Sequence, residues 1–263
     1  MMKNKIYILT FLTGCAAFIS VLSYLSRFDG IWSTTNMLCF SLLIPLSALV
    51  SRKNTVVSFL FTTFFTVIVV RNAGQHDWLR VGWVTAITFI PLLLQLIVIV
   101  IDGIKKYGPQ GIALSFIRMF IGFNWLTHCT EKLFVSRHDA GLVGFFKTVV
   151  GPHTFGSVLS DQFAVNMIIL GGLVEFTAAI TLGLGILSRF GAFAAAVYLV
   201  MAELMGEHFG VGYTWMIPGG GWEVPFYFFM VTLPFMLPKT GGPLSLDNEW
   251  HLSKTPFYKL SGF

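Results

Sequence analysis

Apolar residues in this chain run almost without interruption for a membrane's thickness at a time, then yield to short polar breaks. A helix needs about 20 apolar residues to cross the hydrocarbon core. Eight runs approach or exceed that length, at roughly 5–26, 32–50, 55–70, 83–101, 111–134, 163–187, 190–205 and 224–237. The third, seventh and eighth are short. The eighth holds Pro225 and Pro234, which predicts a kink. The pattern predicts an all-α, polytopic membrane helical bundle of about eight transmembrane helices.

The breaks set the expected orientation. With a cytoplasmic N-terminus, ten Lys and Arg residues fall inside and six outside, with Arg118 within a span. Both termini are then cytoplasmic, in an inner membrane. The segment DGIKKYGPQG (102–111) is charged and contains glycine and proline, so it reads as a short linker between two four-helix halves. The expected division is a membrane region over 1–107 of unassigned role and a second domain over 108–263 with a cytoplasmic tail.

Composition narrows the class. The 263 residues are 55% hydrophobic and 11% charged, with mean hydropathy +0.77. Soluble domains carry about 25% charged residues. The net charge of +5 is scattered through short loops, with no basic patch interleaved with aromatics, so no nucleic-acid partner is expected. Cys15, Cys39 and Cys129 form no CxxC or CxxCH, which removes the sequence basis for an iron–sulfur cluster, a c-type haem or a dithiol. Leu12-Thr13-Gly14-Cys15 has the shape of a lipoprotein cleavage box. The apolar run continues straight through it, as in an ordinary first membrane helix.

Candidate chemistry gathers in the second half. Arg118 and Glu175 lie within spans, where an ionisable residue is costly and asks for a partner. Their depths predict that they meet, either as a structural ion pair or as part of a proton path or head-group anchor. Glu175 also lies on a stripe of small residues, Gly171, Ala179 and Gly183, spaced by four as a close helix-packing face. In FNWLTHCTEKLF, residues Trp125, His128, Cys129 and Lys132 fall on one helical arc with Arg118, bordered by Asn124 and Glu131. That arc either lines an internal cavity or is a solvated helix end. Glu203, Glu207 and His208 close the seventh run. They and His128 match no HExxH spacing, and no metal is expected.

The stretch HFGVGYTWMIPGGGWEVPF (208–226) lacks GxxxxGK[ST] and so is not a phosphate loop. Trp215 and Trp222 suit the membrane interface. Glu223 and His208 then flank a pocket mouth, and the segment is either a re-entrant turn or the lid of a substrate or quinone pocket.

Three fragments in order, RMFIGFNWLTHCTEKLF, NMIILGGLVEFTAAITLGLGILSRFGAFAAAVYLVMAE and GGGWEVPFYFFMVTLPFMLPKTGGPLSLD, give residues 111–247 a pattern that resembles the DoxX/DoxD family. The resemblance implies a DoxX-like four-helix bundle in the C-terminal half. GGGWE leans towards DoxD, a subunit of thiosulfate:quinone oxidoreductase. It implies oxidation of thiosulfate with quinone as acceptor, no evident prosthetic group, and a second subunit or larger membrane complex as partner. Glu175, His128, His208 and Glu203 are the expected catalytic residues. Arg118, Lys132, Trp222, Glu223 and Trp125 are the expected substrate-binding residues. Cys129 is a candidate for a transient thiosulfonate adduct or a small core residue. Two other functions fit the same residues: a non-catalytic scaffold subunit in the lipid bilayer, and a small-solute or anion transporter.

Overall fold

The computed structural model describes residues 2–50, 53–207 and 221–263. His208, Trp215 and two of the three consecutive glycines lie outside these residues. Helices α1 (Met2–Leu22), α2 (Ile31–Leu49) and α3 (Thr55–Gln75) pack in succession, and α4 (Leu79–Ala86) returns along α1 and α3. Next come α5 (Phe89–Leu133) and α6 (Ala140–Phe145), which runs on as a π-helix over Phe146–Phe155. Helix α7 (Asp161–Ala178) widens into a π turn over Ala179–Gly183 and is followed by α8 (Ser188–Met205). Helix α9 (Glu223–Thr232) tightens into a 3-10 turn over Leu233–Met236, and α10 (Leu246–Glu249) sits in the tail. No strand occurs among the described residues.

Six segments are long and apolar enough to span a membrane, and one of them, Leu79–Leu133, covers 55 residues. As a straight rod α5 alone would reach about 70 Å, more than twice the hydrocarbon thickness of about 30 Å. It breaks at Gly108, with φ 76° and ψ 164°, followed by Pro109. Proline disfavours helical backbone at the residue before it, and glycine takes a positive φ without a Cβ clash. The expected linker at 102–111 is therefore a sharp kink at Gly108 between two helical arms. Counting the two arms of 79–133 separately, and adding the shorter apolar helix Glu223–Met236, accounts for all eight predicted runs. The expected kink also appears. Pro225 lies in the first turn of α9, where its missing N–H is harmless, and α-helix gives way just before Pro234.

Polar contacts show which ends lie together. Gln75 Nε2 donates to Thr130 Oγ1 (3.2 Å), and Ser33 and Ser136 hydroxyls lie 2.8 Å apart, so the ends of α3 and α5 share one end of the bundle with the start of α2. At the other end Asn54, which caps α3 by accepting from Val57 N (3.0 Å), donates to Glu249 (2.5 Å). Asn248 donates to Tyr107 beside the Gly108 kink (3.3 Å). The start of α1 and the C-terminal tail thus occupy the same end, as the charge count predicts. The larger apolar core joins α3, both arms of α5, α7, α8 and the tail, and so runs across the Gly108 kink.

Arg118 overturns one expectation. It does not meet Glu175. About 21 Å of helical rise separates it from Lys132, and Lys132 is where Glu175 is found. The Arg118 side chain is fully buried and donates to three backbone carbonyls: Gly241 from Nε (2.7 Å), Leu182 from Nη1 (2.5 Å) and Leu244 from Nη2 (2.5 Å). Arg118 thus gives three of its five N–H donors to backbone. It ties the end of α7 to the tail. Asp247 completes the knot. Its carboxylate accepts from Leu187 N (2.8 Å), Ser188 N (3.2 Å), Ser188 Oγ (2.8 Å) and Gly262 N (2.8 Å). That places a carboxylate at the N-terminus of α8, where the helix dipole favours it. The tail is thus built into the fold.

Close backbone approach makes the same junction possible. A Cβ on Gly122 would collide with the Gly183 backbone nitrogen, whereas a Cβ on Gly183 would meet nothing nearer than 3.6 Å. Gly122→Ala is expected to cost about 1–3 kcal/mol by overpacking, and Gly183→Ala well under that, as measured by thermal unfolding in detergent. Arg118→Met, which strands three buried carbonyls, is expected to cost about 3 kcal/mol or more.

Candidate functional site

A cavity of about 580 Å³ opens between α5, α6, α7, α8 and the start of α9. Helix α5 supplies Asn124, Trp125, His128 and Lys132, spaced so that they share one face. Helix α7 supplies Gly171, Val174 and Glu175, and α8 supplies Tyr198, Leu199 and Ala202. Leu142, Phe145, Phe146 and Val150 form an apolar wall from the segment between α5 and α7. That segment was expected to be a loop. Asp139 caps it by accepting from Leu142 N (3.1 Å), and Lys147 pairs with Asp161 at the head of α7 (2.5 Å).

The polar end of the cavity is one connected group. Lys132 forms an ion pair with Glu175 Oε1, which also accepts from Tyr198 OH (3.0 Å). Glu175 is 3% exposed, and its other oxygen, Oε2, is buried without a hydrogen-bond partner. Trp125 is 6% exposed, and its Nε1–H is likewise buried and unpartnered. Its ring packs edge-on against Tyr198 at 5.6 Å and His128 at 6.5 Å. His128 is open to the cavity and makes no hydrogen bond among the described residues. Buried polar atoms are nearly always satisfied. Trp125 and Glu175, which both line the cavity, thus carry one orphan donor and one orphan acceptor.

Gly171 is small for this site. A Cβ there would stand 2.7 Å from the Tyr198 hydroxyl. Of the small-residue stripe, Gly171 thus admits Tyr198 to Glu175, whereas the close approach of α5 at Gly183 rests on Gly122.

Of the residues expected from sequence, the structure brings Trp125, His128, Lys132 and Glu175 together. Glu203 and Trp222 line a separate void of about 210 Å³ with Val200, Phe226 and Phe229. Leu199 and Pro225 border both spaces. Glu223 is buried at the start of α9, with neither carboxylate oxygen hydrogen-bonded. It does not reach the larger cavity. Cys129 leaves the predicted arc. It is fully buried in the core and donates to the Leu126 carbonyl (3.3 Å), as a small core residue would. Glu131 faces the other way, 3.4 Å from Arg71. His208 lies outside the described residues. Among the described residues no three His, Cys, Asp or Glu side chains converge as a metal site.

Tyr198 and the wall over 142–150 were missed. Tyr198 had a signal, a lone phenol in the middle of apolar α8. The wall had none, because its residues are ordinary loop apolars until α6 and the π-helix lay them over the cavity.

Every cavity residue from α5 to α8 falls within one recognisable segment. Residues 113–208 match the DoxX family. The match begins just past the Gly108 kink and stops short of GGGWE and GPLSLD, so it covers the DoxX part of the resemblance and not its DoxD-leaning part. No curated protein and no solved structure matches the chain.

Lys132→Met would leave Glu175 as a buried charge without its cation, and a loss of about 3–5 kcal/mol is expected. The double change Lys132→Met with Glu175→Met removes both charges and is expected to restore most of that loss. Thermal unfolding of the three proteins checks this.

Proposed function

We propose that this multi-pass membrane protein is a redox-linked subunit whose DoxX segment binds quinone in the cavity beside Trp125, His128, Lys132 and Glu175. The single observation that carries the reading is the pair of buried, unpartnered atoms, Trp125 Nε1 and Glu175 Oε2, at the polar end of an otherwise apolar cavity. A quinone carbonyl accepts a hydrogen bond, and a quinol hydroxyl donates one. The space, at about 580 Å³, lies within the range of about 300–1,000 Å³ usual for small-molecule sites. The rim includes Leu170, Met201 and Val224, all roughly half exposed on the outer surface of the helices. An apolar rim of this kind suits a ligand dissolved in the bilayer.

Quinone reduction takes up two electrons and two protons. In this reading His128 and Glu175 hold and move protons at the polar end, Lys132 pairs with Glu175, and Tyr198 orients its carboxylate. The apolar wall over 142–150 excludes water. Thiosulfate at the outer face, oxidised pairwise to tetrathionate, is the most concrete electron donor in this reading. The donor does not share the cavity in this reading, because Lys132, the one Lys or Arg that lines it among the described residues, is already paired with Glu175. The end of the bundle bearing the tail is the cytoplasmic one in this account.

The test is titration of the purified chain in nanodiscs with a short-chain quinone, read by tryptophan fluorescence. Trp125→Phe is expected to weaken binding about fivefold, the worth of one hydrogen bond. Glu175→Gln, which keeps the shape, is expected to abolish quinone reduction while retaining the fold. Unaltered binding in Trp125→Phe would remove the quinone site. Thiosulfate-dependent reduction, alone or with co-purified chains, would support that donor. Its absence in a quinone-binding sample would discard thiosulfate and leave the site standing.

A further inference from the structure

The tail beyond α10 carries an outward face that neither the fold nor the cavity uses. It is pinned at both ends. Leu246 N and Asp247 N donate to Leu184 and Gly185 carbonyls (3.0 and 2.8 Å). Further on, Gly262 N binds Asp247, Gly241 N donates to Gly262 O (2.7 Å), and Arg189 Nη1 donates to Lys259 O (2.6 Å). Between these clamps the chain makes two short 3-10 turns, Leu252–Lys254 and Pro256–Lys259. The result is a strap held against the bundle.

Its outer side is aromatic and basic. Trp250, Phe257, Tyr258, Leu260 and Phe263 are 39–55% exposed. Lys254 and Lys259 are exposed among them. A water-facing tail has no reason to hold four aromatic rings outward, and the clamps would let it bury them. Trp250 also packs beside Phe61, whose helix is a membrane span, at a ring separation of 6.5 Å. The strap therefore runs alongside spanning helix and not beyond it, at the depth where tryptophan and tyrosine prefer to sit. Exposed Lys53, Lys105, Lys106 and Lys239 lie at the same end of the bundle. Asp102 and Glu249 offset only part of that charge, because the lysines at this end outnumber them. Asp247 is buried and fully engaged, Glu249 accepts from Asn54, and Asp102 alone stands exposed.

We infer that residues 250–263 form a preordered lipid-binding strap that seats its aromatic side chains in the headgroup layer and holds anionic phospholipid headgroups with Lys254 and Lys259. The chemistry is that of a basic, aromatic interfacial segment, in which each lysine near an anionic surface is worth about a fivefold preference. Because the strap is clamped through Asp247 and Arg189, the residues that fasten the α7–α8 junction also present this surface. The inference is independent of what the cavity binds.

The experiment uses the full chain in nanodiscs of phosphatidylcholine with and without phosphatidylglycerol. Lipids brominated just below the headgroup quench nearby tryptophan. The difference between the wild-type protein and Trp250→Phe isolates the signal of Trp250, which is expected to be strongly quenched. In the second arm, detergent-purified protein is assayed for retained phosphatidylglycerol over phosphatidylcholine. The double variant Lys254→Gln, Lys259→Gln is expected to lose that preference by an order of magnitude with unchanged thermal unfolding. Unquenched Trp250 would overturn the strap's placement in the headgroup layer. Quenching with equal lipid preference in wild type and double variant would overturn the anionic headgroup assignment.

Discussion

A guanidinium in the middle of an apolar bundle must have its donors met inside the protein, and Arg118 meets them with backbone. Three carbonyls from two separate segments, Leu182 on one side and Gly241 and Leu244 on the other, converge on it. Backbone carbonyls are left without a helical partner where helix is interrupted. The π turn at the end of α7 and the extended tail supply that interruption. The arrangement draws the tail into the core and places Asp247 at the head of α8. The Gly122–Gly183 approach sets how near α5 comes. Removing a charge from such a site is costly because its partners cannot find water.

With Arg118 spoken for at one end, the second buried pair is left to the other. Lys132 and Glu175 neutralise each other, and Tyr198 takes one more contact, but the carboxylate still keeps one buried oxygen without a partner. A purely structural pin would be expected to satisfy both oxygens. Trp125, whose Nε1 is orphaned, and the open His128 ring line the same space. The bundle thus separates its ionisable groups by role, with one set fully engaged in closing the fold and another set left partly unsatisfied around a cavity.

The sequence made the helices legible because a membrane span is a long, unmixed apolar run, and even the short eighth run and its proline break were visible. Helical spacing placed Trp125, His128 and Lys132 on one face correctly. It misplaced Cys129 and Arg118, since an arc of that width meets the core as well as the cavity. The pairing of Arg118 with Glu175 failed for a definite reason. Depth was counted from helix ends assumed level with the membrane, whereas α7 begins well beyond the end of α5, so Glu175 comes level with Lys132. Asp247 sat in plain view in GPLSLD, but its four donors come from residues far apart in sequence. The break at Gly108 fell inside the expected linker, because a Gly-Pro pair marks an interruption of helix whether it folds as a kink or a loop.

The most direct measurement is photolabelling of the purified protein with an azido-quinone, followed by peptide mapping and competition with unmodified quinone. The account predicts competable label on 124–132, 170–175 or 198–206, reduced by the wall-filling change Gly171→Leu. Label confined to the lipid-facing side of α5's first arm, around Leu93 and Ile97, or label that quinone does not displace, would contradict it.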